Sequence, residues 1–105
     1  MKPRWVTVPV TQDQIGRAKK GGCYDCLVAL ALAEATGLIW NVWHHDARIE
    51  VLAGRKPIWK FPGDVRDLMV AFDQEWPKPA EPTSFQLPAR FADPKWRKLG
   101  AARNL

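Results

Sequence analysis

Cys23 and Cys26 are the residues of this chain with the widest chemical range. Thiols at this spacing can ligate a metal, exchange with a disulfide or fill apolar space, and a helix N-terminus would lower their pKa. Thioredoxin-like chemistry needs a strand directly before the pair in a βαβ setting, and Lys19-Lys20-Gly21-Gly22 stands there instead. His44 and His45 would complete a two-Cys, two-His zinc set. Neighbours on a strand point to opposite faces, however, so both reach one ion only if that segment is a turn. The spacing fits no standard finger, and the simpler reading is that both thiols pack the first turn of a buried helix. No metal and no other cofactor is expected. His44-His45-Asp46 has acid/base side chains, but sequence neighbours rarely make a triad, and Ser84 is isolated. With no phosphate loop, nucleophile elbow or H-E-x-x-H, the chain is expected not to be an enzyme.

A second chemistry lies in rings and cations. Along Leu38–His44, Trp40 and Val42 share a parity with His44, whereas Ile39, Asn41 and Trp43 take the other. If helices cover one face, the opposite face presents a ring near Arg48, Glu50 and Lys60. Trp40, Trp43, Arg48, Lys56, Trp59 and Lys60 are therefore one set of candidate partner-binding residues; the alternative for each Trp is to fill a thin core. Lys95, Trp96, Arg97, Lys98 and Arg103 are a second set, in a stretch where Asp93 is the single acid. Such an arm would add salt-sensitive affinity for phosphate or clamp an acidic protein groove.

The elements that must position these residues are legible in outline. Trp5–Val10 alternates as a strand with Pro9 suited to an edge, and Thr11 with Gln14 forms a capping box for a short helix over Gln12–Ala18. Gly22–Gly37 is apolar around most of its circumference, which predicts a buried helix ending at Gly37. Leu38–His44, Ala47–Ala53 and Ile58–Phe61 read as a meander with turns at His45-Asp46 and Gly54–Pro57. Val65, Leu68, Met69, Phe72 and Trp76 fall on one face of the clearest amphipathic helix. A stiff Pro77–Pro82 linker then precedes a strand at Thr83–Leu87. The expected fold is α+β, with one antiparallel sheet of about four to five strands and two main helices on one face, in the order β-α-α-β-β-β-α-β. Residues 1–88 form one expected domain, and 89–105 a basic tail that is loose until it meets a partner.

The length of 105 residues supports one core, and a hydrophobic fraction of 47% argues against a disordered chain. A net charge of +5 favours an acidic partner without saying which. Two cysteines do not make a secreted disulfide framework, and neither a signal-peptide core nor a membrane-length apolar run is present, so a cytoplasmic protein with no membrane partner is expected.

Val6-Thr7-Val8-Pro9-Val10-Thr11-Gln12, Ile15, Cys23-x-x-Cys26 and Val28-Ala29-Leu30-Ala31-Leu32, with Phe72-Asp73 and Ser84-Phe85-Gln86-Leu87, resemble a family of small tailed-phage and prophage accessory proteins. That family's members often carry Pro after the second Cys, where Leu27 stands, and the Trp-rich strands are particular to this chain. The resemblance spans roughly residues 6 to 87 and implies a setting rather than a mechanism, that of a phage or mobile-element accessory gene. Taken with the small size, the absence of catalytic motifs and the aromatic and basic surface, the expectation is a protein that binds and inhibits a host protein or ribonucleoprotein complex, most concretely a defence complex such as CRISPR-Cas. The alternatives are a small regulatory protein that binds RNA or single-stranded DNA, and a thiol-redox or zinc protein acting through Cys23 and Cys26.

Overall fold

Val6, Val8 and Val10 do form one side of a strand, β1 (Trp5–Val10), with Val8 and Val10 fully inside. The computed structural model describes residues 4–50 and 58–103. Thr11 then caps α1 (Gln12–Arg17) by the expected reciprocal pair: the Gln14 backbone N–H donates to Thr11 Oγ1 (3.1 Å) and the Thr11 N–H to Gln14 Oε1 (2.9 Å). The Gln14 amide also donates to Glu34, and Arg17 donates to the other oxygen of that carboxylate (2.7 Å). These bonds pin α1 onto the next helix.

That helix, α2 (Leu27–Thr36), is buried on most of its surface, as its apolar composition requires. It starts five residues later than expected. Gly21 is left-handed at φ +76°, Lys19 N–H donates to Asp25 O (2.8 Å), and Cys26 is extended as the N-cap. Cys23 therefore sits in a turn before the helix, not in its first turn. Gly37 ends the helix at φ +71°, with its N–H on Ala33 O (2.8 Å). An Ala there would occupy a left-handed conformation with its Cβ 3.3 Å from Arg97 Cδ. Gly37→Ala should cost about 1–2 kcal/mol in urea unfolding, and a neutral result would contradict this cap.

β2 (Trp40–Val42), β3 (Asp46–Ile49) and β4 (Ile58–Lys60) form the expected antiparallel meander. The first hairpin turns one residue earlier than expected. Trp43 N–H donates to Asp46 O (2.8 Å), so His44-His45 is the loop and Asp46 belongs to β3. The far half of the expected Ala47–Ala53 strand and the Gly54–Pro57 turn, Lys56 included, lie outside the described residues. α3 (Gly63–Gln74) packs Val65 and Phe72 inward with Leu68 and Met69 half-buried, but it does not reach Trp76. Glu75 closes it in a left-handed conformation, and the residue before Pro77 is disfavoured in a helix. Trp76, expected on the inner face, is 67% exposed.

β5 (Thr83–Pro88) pairs with β1 in the register Trp5↔Pro88 to Val10↔Thr83. The fold is thus α+β with antiparallel strands, but the five strands among the described residues make two sheets, β1-β5 and β2-β3-β4, rather than one. The edge of β2 that a continuous sheet would use is occupied by the cysteine turn, since Val42 N–H donates to Cys23 O (2.7 Å). α2 packs against both β1 and β2, and a stacked Trp59–Phe85 pair, 5.7 Å between centroids, joins the sheets in one core. After β5 come a 3-10 turn (Ala89–Ala92) and α4 (Pro94–Arg103), giving four α-helices among the described residues. Where a loose tail is expected, Phe91 is buried edge-on to Trp40 and Trp96 packs on the core, its Nε1 donating to Arg90 O (2.9 Å). No helix among the described residues is long and apolar enough to cross a membrane.

Candidate functional site

The register of the meander settles which side chains share its outer face. Pairing sets Asn41 beside Arg48 and Ile58, and Trp43 beside Asp46 and Lys60; the Glu50 N–H to Ile39 O bond (2.9 Å) adds a further row, Ile39 with Glu50. The opposite parity, Trp40, Val42, Ala47, Ile49 and Trp59, is the buried face. On the outer face Ile39, Trp43 and Ile58 are 66%, 50% and 47% exposed. Tyr24 lies alongside, donating to Glu50 Oε1 (3.3 Å) and accepting from Asn41 Nδ2 (3.3 Å). Local desolvation first, and the Glu50 charge second, hold its phenol above the ordinary range.

Between those apolar groups lies a polar floor whose charges balance, Arg48 and Lys60 against Asp46 and Glu50. Arg48 Nε and Asp46 Oδ1 are 4.0 Å apart, too far for a hydrogen bond. Both atoms, and Asn41 Oδ1, are buried with no hydrogen-bond partner among the described residues. Such atoms carry a desolvation cost that a partner's donor or acceptor would relieve.

The sulfur chemistry converges elsewhere. The cysteine turn, the hairpin tip and α3 enclose a cleft of about 140 Å3 lined by Cys23, Cys26, His44, Met69 and Asp73. It runs into one of about 310 Å3 that shares His44, Met69 and Asp73 and adds His45 and Arg66. Asp73 Oδ1 is buried there without a hydrogen-bond partner among the described residues. The fold thus gathers both thiols and an imidazole, as a metal or redox site would need. Among the described residues no three His, Cys, Asp or Glu side chains are placed to hold an ion. Both cysteines are free thiols, and burial pushes the Cys26 thiol up rather than down. Cys26 is 3% exposed and protonated at neutral pH, whereas Cys23 is half-buried. Brief iodoacetamide treatment at neutral pH should label Cys23 well before Cys26 by mass spectrometry; equal labelling would mean the N-cap region opens.

Of the sequence-predicted residues, Trp43, Arg48 and Lys60 come together on the outer face. Trp40 and Trp59 do not: at 1% and 5% exposure they are core residues, because the strand parity that carries Val42 and Ala47 inward carries them too. Lys95, Trp96, Arg97 and Lys98 lie on α4, with Trp96 half-buried and the three cations exposed; Arg103 is that helix's last residue. Ile39 and Ile58 were readable from their parity with Trp43 and Lys60, whereas Tyr24 reaches the site across a turn that leaves no periodic signal. Comparison of the chain with family models, with curated proteins and with solved structures found no match.

Proposed function

We infer that this chain is a non-enzymatic phage accessory protein that engages and inhibits a host protein complex, a defence complex such as CRISPR-Cas being the concrete target, in the host cytosol. The observation that carries the binding reading is the outer face of β2-β3-β4. Three exposed apolar side chains, Ile39, Trp43 and Ile58, stand over a polar floor with unmet hydrogen-bonding atoms. Central aromatic and aliphatic anchors over satisfiable polar groups are the anatomy of a protein interface core. The charge balance of the face suits a protein rather than a polyanion. The phage setting and choice of target rest on the sequence resemblance, together with the small size and the lack of a catalytic motif.

The test has two arms. Tagged protein is passed through nuclease-treated host lysate beside a Trp43→Ala variant, and the gene is expressed in a host whose CRISPR-Cas system restricts an infecting phage. The expected results are a protein complex retained by the native chain and lost with Trp43→Ala, and recovery of plaque formation. Retention that ignores Trp43, or no retention, removes the surface; unaltered restriction removes the target.

A further inference from the structure

The described cations divide by whether the fold neutralises them. Arg17, Lys19, Lys20, Arg48 and Lys78 each lie within 4.0 Å of a carboxylate. Among the described residues Arg4, Lys60, Arg66, Arg90, Lys95, Arg97 and Lys98 form no ion pair. Lys60 and Arg66 lie on β4 and α3, whereas Arg4, Arg90, Lys95 and Lys98 belong to the segments that flank one end of the β1-β5 ribbon. Ala89 N–H donates to Arg4 O (3.0 Å), which sets Arg4 across from Ala89, the residue before Arg90. Trp96 Nε1 on Arg90 O ties α4 to the same point, and the Lys95 ammonium lies 4.8 Å from the Trp96 ring centroid. Lys98 follows Lys95 by one turn on the same helix face.

Asp93, the acid of this segment, forms no ion pair with them among the described residues, and its single charge stands against four. Its Oδ1 accepts from Lys95 N–H (2.9 Å) and its carbonyl from Trp96 N–H (3.1 Å), so it serves the start of α4. Arg97 points elsewhere, its stem against Gly37 at the negative end of α2.

Next to Arg4, and across the ladder from Pro88, Trp5 is 56% exposed. The ribbon continues away from it with exposed, uncharged groups, Thr7 and Gln86 bonded side chain to side chain (3.1 Å), then Ser84. Asp64, which lines the cleft beside Trp5, has its Oδ1 on Val65 N–H (3.0 Å) at the start of α3.

An unneutralised cation cluster, an exposed ring for stacking and an uncharged hydrogen-bonding strip are the three parts of a single-stranded nucleic-acid surface. We propose that the β1-β5 ribbon end, through Arg4, Trp5, Arg90, Lys95 and Lys98, binds single-stranded RNA or DNA by its phosphates and one stacked base. An acidic protein segment would use the cations and leave Trp5 without a role. A duplex would not offer a free base face. This surface is separate from the outer face of β2-β3-β4 and does not depend on it.

The experiment is fluorescence anisotropy with labelled single-stranded RNA and DNA of about 12 nucleotides, a duplex of the same sequence, and poly-glutamate as competitor. Four phosphate contacts predict a log–log salt slope close to −3 on single strands. Arg90→Ala or Lys95→Ala should each lower its magnitude by about 0.7. Trp5→Ala should weaken binding about tenfold at constant slope, and Trp5→Phe should restore most of it. Trp43→Ala should leave oligonucleotide binding unchanged, and Arg90→Ala should leave Trp43-dependent protein capture unchanged, so each surface fails on its own. Circular dichroism of each variant confirms the fold. No saturable binding at about 50 mM salt overturns the proposal. So does equal binding of the duplex, indifference to Trp5, or full displacement by poly-glutamate at matched charge, the last marking the surface as one for acidic protein.

Discussion

Trp40→Ala should destabilise the protein by about 3–5 kcal/mol, measured as urea unfolding with an unchanged m-value. The ring is 1% exposed, on the buried parity of β2 opposite Ile49, and its edge meets Phe91 at 6.3 Å between centroids. Two losses add. Truncation removes the largest fully buried side chain of the core and leaves a cavity that neighbouring strands cannot close. It also dissolves a buried polar knot: Thr36 Oγ1 donates to Leu32 O (2.7 Å) and accepts from Trp40 Nε1 (2.9 Å) and from Leu38 N–H (3.3 Å). That knot joins the last turn of α2 to the first residue of β2. A domain of this size has about 5–15 kcal/mol in total, so an appreciable unfolded fraction is expected at physiological temperature. Thr36→Val separates the two terms. It keeps the shape and strands the indole N–H, at an expected cost of about 1–3 kcal/mol. A cycle with Trp40→Phe should show coupling of about 1 kcal/mol; additivity within about 0.3 would mean the bond contributes nothing.

The same residue shows where reading the sequence succeeds and where it stops. Alternation along Trp40–Trp43 is enough to say that one Trp faces in and one out, because parity is local. Which of them is outside depends on where α2 and Phe91 lie, and Phe91 is 51 positions away from Trp40. The capping box at Thr11 and the glycine end of α2 are legible for the same local reason: each is a bond between residues within four positions. The division into two sheets is not, since it rests on a β1-β5 pairing between residues as much as 83 positions apart and on a carbonyl of the cysteine turn that caps the edge of β2. Trp76 fails at an intermediate range. Its spacing matches the α3 face, but Pro77 ends the helix before that spacing can act. On the basic segment, a dense run of cations with one acid reads as a solvated tail, whereas Phe91 and Trp96, its two aromatics, anchor it to the core. Two rings outweigh the charge because apolar burial is indifferent to which side chains point the other way.

Trp43→Ala should have the opposite profile to Trp40→Ala: little change in unfolding free energy, within about 0.5 kcal/mol, and a large loss of partner affinity. The ring is half-exposed at the hairpin end of the outer face, in the same row as Asp46 and Lys60, so removing it opens no cavity. In a bound state it would be the largest apolar group transferred out of water, beside Ile39 and Ile58. An aromatic anchor in that position is worth about 2 kcal/mol or more, roughly 30-fold in Kd by isothermal calorimetry against the captured complex. Arg48→Ala should follow with a smaller loss, because its Nε has no hydrogen-bond partner among the described residues and gains most when a partner atom supplies one. The salt dependence then discriminates between surfaces. Arg48 and Lys60 are balanced by Asp46 and Glu50, so affinity through this face should vary by less than about threefold between 50 and 200 mM salt, where four phosphate contacts would lose about fiftyfold. A Trp43-dependent complex that dissolves steeply over that range would locate the binding free energy in charge, and would transfer the partner from the neutral sheet face to the basic end of the molecule.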